Sequence, residues 1–209
     1  MTLRRWLALS GVGAALLFAV SFFTGGGSPN DDASAAKVVS YFRDHRVATQ
    51  VEALLAVIGA VLLVLFAIRL REFLRGDGSD GGLLPTAAFG GAVILATGVM
   101  LDSSVTYALV RSSRLGFAGS AQTLNVVSNG DFYPLFGGIA ILLLASGITT
   151  VRRPALPRWL GWAAIVIGIL SLAGPIGFIG ALLAIIWLLV VAIIIFRKDR
   201  VAAGAQAGT

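Results

Sequence analysis

Two stretches of this chain contain no charged, hydroxyl or amide side chain: Ala53 to Ile68, sixteen residues, and Gly177 to Phe196, twenty residues. A helix rises about 1.5 Å per residue, so twenty residues match the ~30 Å hydrocarbon core of a bilayer. Inside hydrocarbon every backbone N–H and C=O needs a partner within the protein, and a helix supplies its own. The stretches therefore predict an all-α membrane bundle. Composition agrees: of 209 residues, 57% are hydrophobic and 12% charged, against about 25% charged in soluble domains. Mean hydropathy is +0.92.

Six spans are expected in one domain over residues 1–200, at about 6–23, 47–68, 84–110, 133–151, 159–173 and 177–196, with a polar, frayed tail at 201–209. The first follows a basic start, but SFFTGGGSPN has no clear small-x-small cleavage site, so it reads as an uncleaved span. The last two read as a hairpin broken at Gly174-Pro175, because one helix over residues 159–196 would be about 57 Å long. Between spans one and two, residues 32–46 mix Val38, Val39, Tyr41 and Phe42 with Lys37, Arg43, Asp44 and Arg46. They predict a short interfacial helix, capped by Asp31 or Asp32. Residues 115–131 fit either a second interfacial helix or a polar extension of span four.

The net charge is +6, but the basic residues sit in clusters at the ends of apolar runs. That pattern sets topology and argues against a nucleic-acid partner. Arg4, Arg5, Arg69, Arg71, Arg75, Arg152, Arg153, Arg158, Arg197, Lys198 and Arg200 fall on one side, eleven in all. Lys37, Arg43, Arg46, Arg111 and Arg114, five, fall on the other. The bias puts both termini in the cytoplasm.

Chemistry concentrates at three outer helix ends. His45, Thr49 and Glu52 lie on one face of the second span, by their i, i+4, i+7 spacing. The third span carries Asp102, Ser103, Ser104, Thr106 and Tyr107 at its exit, after a period-four series of Gly90, Ile94 and Gly98. Small residues admit close helix neighbours, and a carboxylate in hydrocarbon must face protein or water. Gln122, Asn125, Asn129 and Tyr133 share a face before span four. The candidate ligand-binding set is His45, Thr49, Glu52, Asp102, Ser103, Thr106, Tyr107, Asn125 and Asn129, with Arg43, Arg46, Arg111 or Arg114 as counter-charges. The opposing reading makes Glu52 and Asp102 interfacial residues paired with arginine or capping backbone. A single histidine and no cysteine give no case for a metal, haem or other cofactor, and no nucleophile–base signature marks a catalytic residue.

LPRWLGW (156–162), with the glycine-punctuated apolar hairpin after it, and SAAKVVSYFRDHR (34–46) resemble a family of bacterial, mainly actinobacterial, six-pass membrane proteins of unknown function. The resemblance implies six helices and a bacterial plasma membrane, and carries over no functional residue. The expected function is non-enzymatic: binding or passing a small molecule, lipid or ion through an outward-facing polar pocket. The alternatives are a structural or accessory subunit that docks a membrane partner or a second copy, and a membrane-embedded enzyme.

Overall fold

A computed structural model describes residues 3–24, 27–76, 82–130, 132–153 and 155–207. Among them, every regular element is helical: α1 (Leu3–Thr24), α2 (Ala35–Asp44), α3 (Arg46–Arg75), α4 (Leu83–Leu115), α5 (Ala118–Gly130), α6 (Tyr133–Arg152), α7 (Arg158–Leu170) and α8 (Gly177–Ala207), with one 3₁₀ turn at Gly174–Ile176. Most of the expected glycine-rich loop after α3, and Asp131, lie outside the described residues.

Five stretches are long and apolar enough to cross a membrane: α1, α3, α4, Ala118–Arg152 (α5 with α6) and the Gly177–Val201 part of α8. Their outer surfaces suit hydrocarbon. On α3 the exposed residues Val51, Leu54, Ile58, Val61, Leu65 and Ile68 recur at alternating intervals of three and four, one continuous apolar stripe. The thirteen-residue α7 reaches only about 20 Å.

Local chemistry sets the ends. Ser34, rather than Asp31 or Asp32, caps α2, its side chain accepting from the Lys37 N–H. His45 alone separates α2 from α3. It closes α2 through its N–H to the Tyr41 carbonyl at 2.9 Å and opens α3 through its own carbonyl to the Thr49 N–H at 3.0 Å. Gly116 ends α4 at φ +80°, with its N–H on Ser113 O and the Phe117 N–H on Ser112 O. This pair of bonds needs a left-handed residue, hence glycine. After Gly116 the chain turns into α5, which packs on α4 and α2.

The long helices form a ring. α1 packs on α3, α3 on α4, α4 on α6, α6 on α7, α7 on α8, and α8 returns to α1, while contacts across the ring are sparse. Glycines set the closest approaches. A methyl group added at Gly138 would lie 2.4 Å from the Leu95 nitrogen, and one at Gly147 2.6 Å from the Gly161 oxygen. The α4 stripe that meets α6 is Gly91, Leu95 and Gly98. Of the expected series, Gly98 is on this face, while Gly90 and Ile94 are turned away: a methyl group added at Gly90 would meet nothing within 4 Å and Ile94 is exposed.

One end of the ring is closed. Leu70, Leu74, Leu156, Leu160, Val191, Ala192 and Ile195 are at most 2% exposed there. Beside them Arg69 of α3 donates twice to Asp199 of α8, its Nε at 3.0 Å. Lys198 donates to Ala155 O, and Arg5 to Arg200 O. These ties fix α8 as far as Arg200, and the helix continues through Ala207, where the sequence predicts a frayed tail. At the opposite end α2 and α5 form a cap with its own small core of Ala33, Val38, Phe42, Leu109, Val110 and Ala121.

Candidate functional site

A cavity of about 600 Å³ lies inside the ring, reaching from the α2/α5 cap toward the closed end. α1, α3, α4, α6 and α8 all contribute to its wall, while α7 braces α6 and α8 without lining it. Two regions differ in chemistry. Near the cap the wall holds Asn30, Tyr41, Thr49, Glu52, Asp102, Thr106 and Asn129. Deeper it is hydrocarbon, formed by Ala56, Leu63, Leu143, Ala184, Trp187 and Leu188 among others. The shaft is blind, because the packed layer at the closed end lies beneath it and contributes no lining residue. Trp187 is fixed at the bottom by its Nε1–H to the Leu160 carbonyl at 3.0 Å.

Helix register positions the carboxylates. Glu52 is two turns into α3 and faces inward with Thr49 and Ala56, while Val51 and Leu54 on the other side face out. Asp102 follows Leu95, Gly98 and Val99 on the inner face of α4, with Thr106 one turn later. The carboxylates are close enough to interact electrostatically. Ser21 of α1 donates to the Glu52 backbone carbonyl at 3.2 Å, joining α1 to α3 at this level. Among the lining residues Glu52 and Asp102 are the charged ones, and no lysine, arginine or histidine is present. Arg43, Arg46, Arg111 and Arg114 lie outside the wall and are exposed, and Arg43 Nε donates to the Ser113 carbonyl at 3.0 Å.

Aromatic rings surround the carboxylate level. Phe18 and Phe22 come from α1, Tyr41 and Phe42 from α2, and Phe132 and Phe178 from the starts of α6 and α8. Phe132 and Phe178 lie 5.9 Å apart, and both pack on Phe136 at 5.1 Å. Burial, and secondarily the Glu52 carboxylate, pushes the Tyr41 phenol up from its ordinary range, so it stays a neutral hydrogen-bonding group.

The structure divides the nine candidate residues. Thr49, Glu52, Asp102, Thr106 and Asn129 line the cavity; His45, Ser103, Tyr107 and Asn125 do not. His45 stacks on Tyr41 at 4.2 Å and borders a separate shallow groove on the cap. Ser103 is buried in helix packing, and Tyr107 is exposed. Asn125 and Asn129 each donate to the Pro29 carbonyl at 3.0 Å, Asn129 also reaches Asp31, and Gln122 holds the Ala33 carbonyl. The α5 amides thus fasten the 29–33 segment over the mouth.

Sequence reasoning missed the aromatic collar and the part played by α1 and α8. One signal for the shaft was present. Ala181 and Ala184, at i and i+3 among large aliphatics, share a wall-facing side of α8 and leave room where leucine would fill it.

Comparison with protein-family models, curated proteins and solved structures finds no match to the chain.

Proposed function

We propose that the chain is a non-enzymatic, six-crossing protein of the bacterial plasma membrane that binds an amphiphilic small molecule or lipid. Both termini face the cytoplasm and the α2/α5 cap faces out. In this reading α7 with the turn after it makes the short fifth crossing, and α2 and α5 lie at the outer interface. The observation that carries the proposal is the blind cavity, polar at the mouth and hydrocarbon below. Such a wall matches a molecule with a polar head and an apolar tail, since each region offers what the corresponding part of the ligand loses on leaving water or lipid. A free ion would gain nothing from the apolar shaft. Binding rather than conduction is favoured by the packed layer around Leu70 and Leu74.

The test fills the shaft. Ala184→Phe projects a ring into the cavity, and Ile186→Phe adds the same ring on the exposed side of α8. Native mass spectrometry of protein purified in mild detergent is expected to find an amphiphile on the parent and on Ile186→Phe, and to find it lost from Ala184→Phe. If the parent carries none and takes up none when offered membrane lipids, the structural-subunit reading replaces this one.

A further inference from the structure

We infer that the cavity opens sideways, between the outer ends of α1 and α8, and that its ligand is a two-chain lipid of the leaflet around the cap. One chain enters the shaft, and the other stays in the bilayer. The inference rests on the amphiphile reading above.

The cap is off-centre. α2 and α5 pack on each other and on α4, and α2 also touches α3. Arg43 ties the cap to α4 through the Ser113 carbonyl. Among the described residues, neither cap helix has comparable packing on α1 or α8. The cap therefore covers the α3/α4 side of the ring and leaves the α1/α8 side uncovered. Exposure traces the rim that results. Of the described lining residues four are exposed: Ser28 and Asn30, before α2, and Phe22 of α1 and Phe178 of α8, each 47%. The rim thus has one polar edge and one aromatic edge. The aromatic edge runs straight into the outer surface, where Val20, Phe23 and Ile179 are also exposed on helices apolar enough to lie in hydrocarbon.

The seam between α1 and α8 changes along its length. Arg5 of α1 bonds to the Arg200 carbonyl of α8, so in this antiparallel pair Ala14 lies about level with Val191, and Phe18 with Trp187. In the lower half Ala8, Ala14 and Ala15 of α1 and Val191, Ala192 and Ile195 of α8 are at most 1% exposed. Around Ser21 and Phe22, by contrast, α8 presents Ala181 and Ala184, which are half-buried and line the cavity. The seam is packed below and bounded above by aromatic rings against alanines, which leaves room for a chain to pass. A chain that passes there stays in apolar surroundings throughout. Over the polar edge it would expose its methylenes to water, and each one raises the barrier. Size points the same way. About 600 Å³ encloses a drug-sized molecule, enough for one chain and less than a diacyl lipid needs. A sideways mouth removes that conflict, because the second chain never leaves the bilayer.

Trp187, 3% exposed at the bottom of the shaft, serves as the reporter. Trp6, Trp159 and Trp162 are exposed on the outer surface and are replaced by phenylalanine. The protein is reconstituted into bilayers of phosphatidylcholine with brominated chains, and bromine quenches indole fluorescence at contact. Diacyl phosphatidylcholine does not cross water during the measurement, so its bromine reaches the shaft only from the side. Trp187 fluorescence is expected to be several-fold lower than in unbrominated bilayers. Ala184→Phe, which fills the shaft, should restore most of it, and Ile186→Phe, with the same ring on the exposed side of α8, should not. A long polyethylene glycol maleimide attached to Ser28→Cys before reconstitution obstructs the polar edge and should leave the quenching unchanged. ω-Bromododecyl maltoside, added from water to unbrominated bilayers, tests the amphiphile site by itself.

Quenching by the maltoside that Ala184→Phe abolishes, with none from brominated bilayers, would overturn the sideways mouth and leave the amphiphile site standing. Loss of the bilayer quenching when Ser28→Cys carries the polymer would do the same. Bilayer quenching that persists in Ala184→Phe would mean that bromine acts through the wall, and would also overturn the mouth. Absence of quenching by both compounds would overturn both readings.

Discussion

A methyl group added at Gly91 would lie 2.3 Å from the Leu142 backbone nitrogen, whereas one added at Gly90 would meet nothing within 4 Å. Backbone cannot move aside as a side chain can, so Gly91→Ala must push α4 and α6 apart. The expected cost is about 1–3 kcal/mol, read as a lower midpoint of thermal unfolding in detergent. Gly90→Ala should leave the midpoint unchanged or raise it slightly, because alanine is the better helix former by about 0.5–1 kcal/mol. Equal effects at the two positions would show that α4 and α6 do not meet as described. The pair also marks how far single residues are legible. The sequence predicts a small-residue face on this helix, and the face exists. At its start it is offset by one residue, a rotation of about 100°, because glycines at both 90 and 91 satisfy two stripes and only the partner helix chooses between them; from Gly98 onward the expected series keeps its face, with Asp102 and Thr106 on the cavity wall. Arg69 shows a similar limit. It reads as a topological charge at the end of a span, yet it is 7% exposed and bonded to Asp199, 130 residues away. No local pattern announces a partner at that separation.

At the scale of elements, the long apolar helices and the short polar α2 were legible, but what a polar face meets was not. A helix period shows that Gln122, Asn125 and Asn129 share a face, but an amide face looks the same whether it meets a ligand or backbone carbonyls. Here it meets the carbonyls of Pro29 and Ala33. α5 is therefore a fastener for the 29–33 segment, with Asn125 only 1% exposed. Replacing Asn125 and Asn129 together by alanine removes both donors to Pro29, each worth about 1 kcal/mol. The expected result is faster amide hydrogen exchange across residues 27–34, with exchange in α3 and α4 unchanged. If exchange rises throughout the bundle, the amides support the whole fold rather than the cap. If it rises nowhere, the small apolar core around Val38 and Phe42 holds the cap unaided. The part of the cavity wall visible to sequence was the part carried by charged residues on span ends. The hydrocarbon shaft was hidden because an inward-facing leucine and a lipid-facing leucine are the same residue in a membrane helix, where both surroundings are apolar.

The whole molecule is a ring with one end packed and one end open beneath a cap, and this asymmetry can be read chemically because the chain has no cysteine. A maleimide needs water and a thiolate, so single cysteines report which surfaces water reaches and from which side. Ser28, exposed on the cap, should react fully with a membrane-impermeant maleimide in intact cells as Ser28→Cys. Arg158→Cys, at the exposed start of α7, should react only after the cells are opened, which places that end in the cytoplasm. Ala56→Cys lies in the shaft just below Glu52 and should react from outside at a rate well below that of Ser28→Cys, since the reagent must pass the collar. Leu74→Cys, in the packed layer at 2% exposure, should stay unlabelled from either side in folded protein and react on unfolding. Reaction of Leu74→Cys from outside would mean that the packed layer opens to water and that the ring conducts. Reversal of Ser28→Cys and Arg158→Cys would invert the molecule in the membrane and turn the cavity toward the cytoplasm. A shaft site that reacts above an unreactive floor is the behaviour of a blind receptor, in which a bound tail leaves by the way it entered. Such a tail should also slow labelling at Ala56→Cys more than at Ser28→Cys, which lies at the exposed mouth.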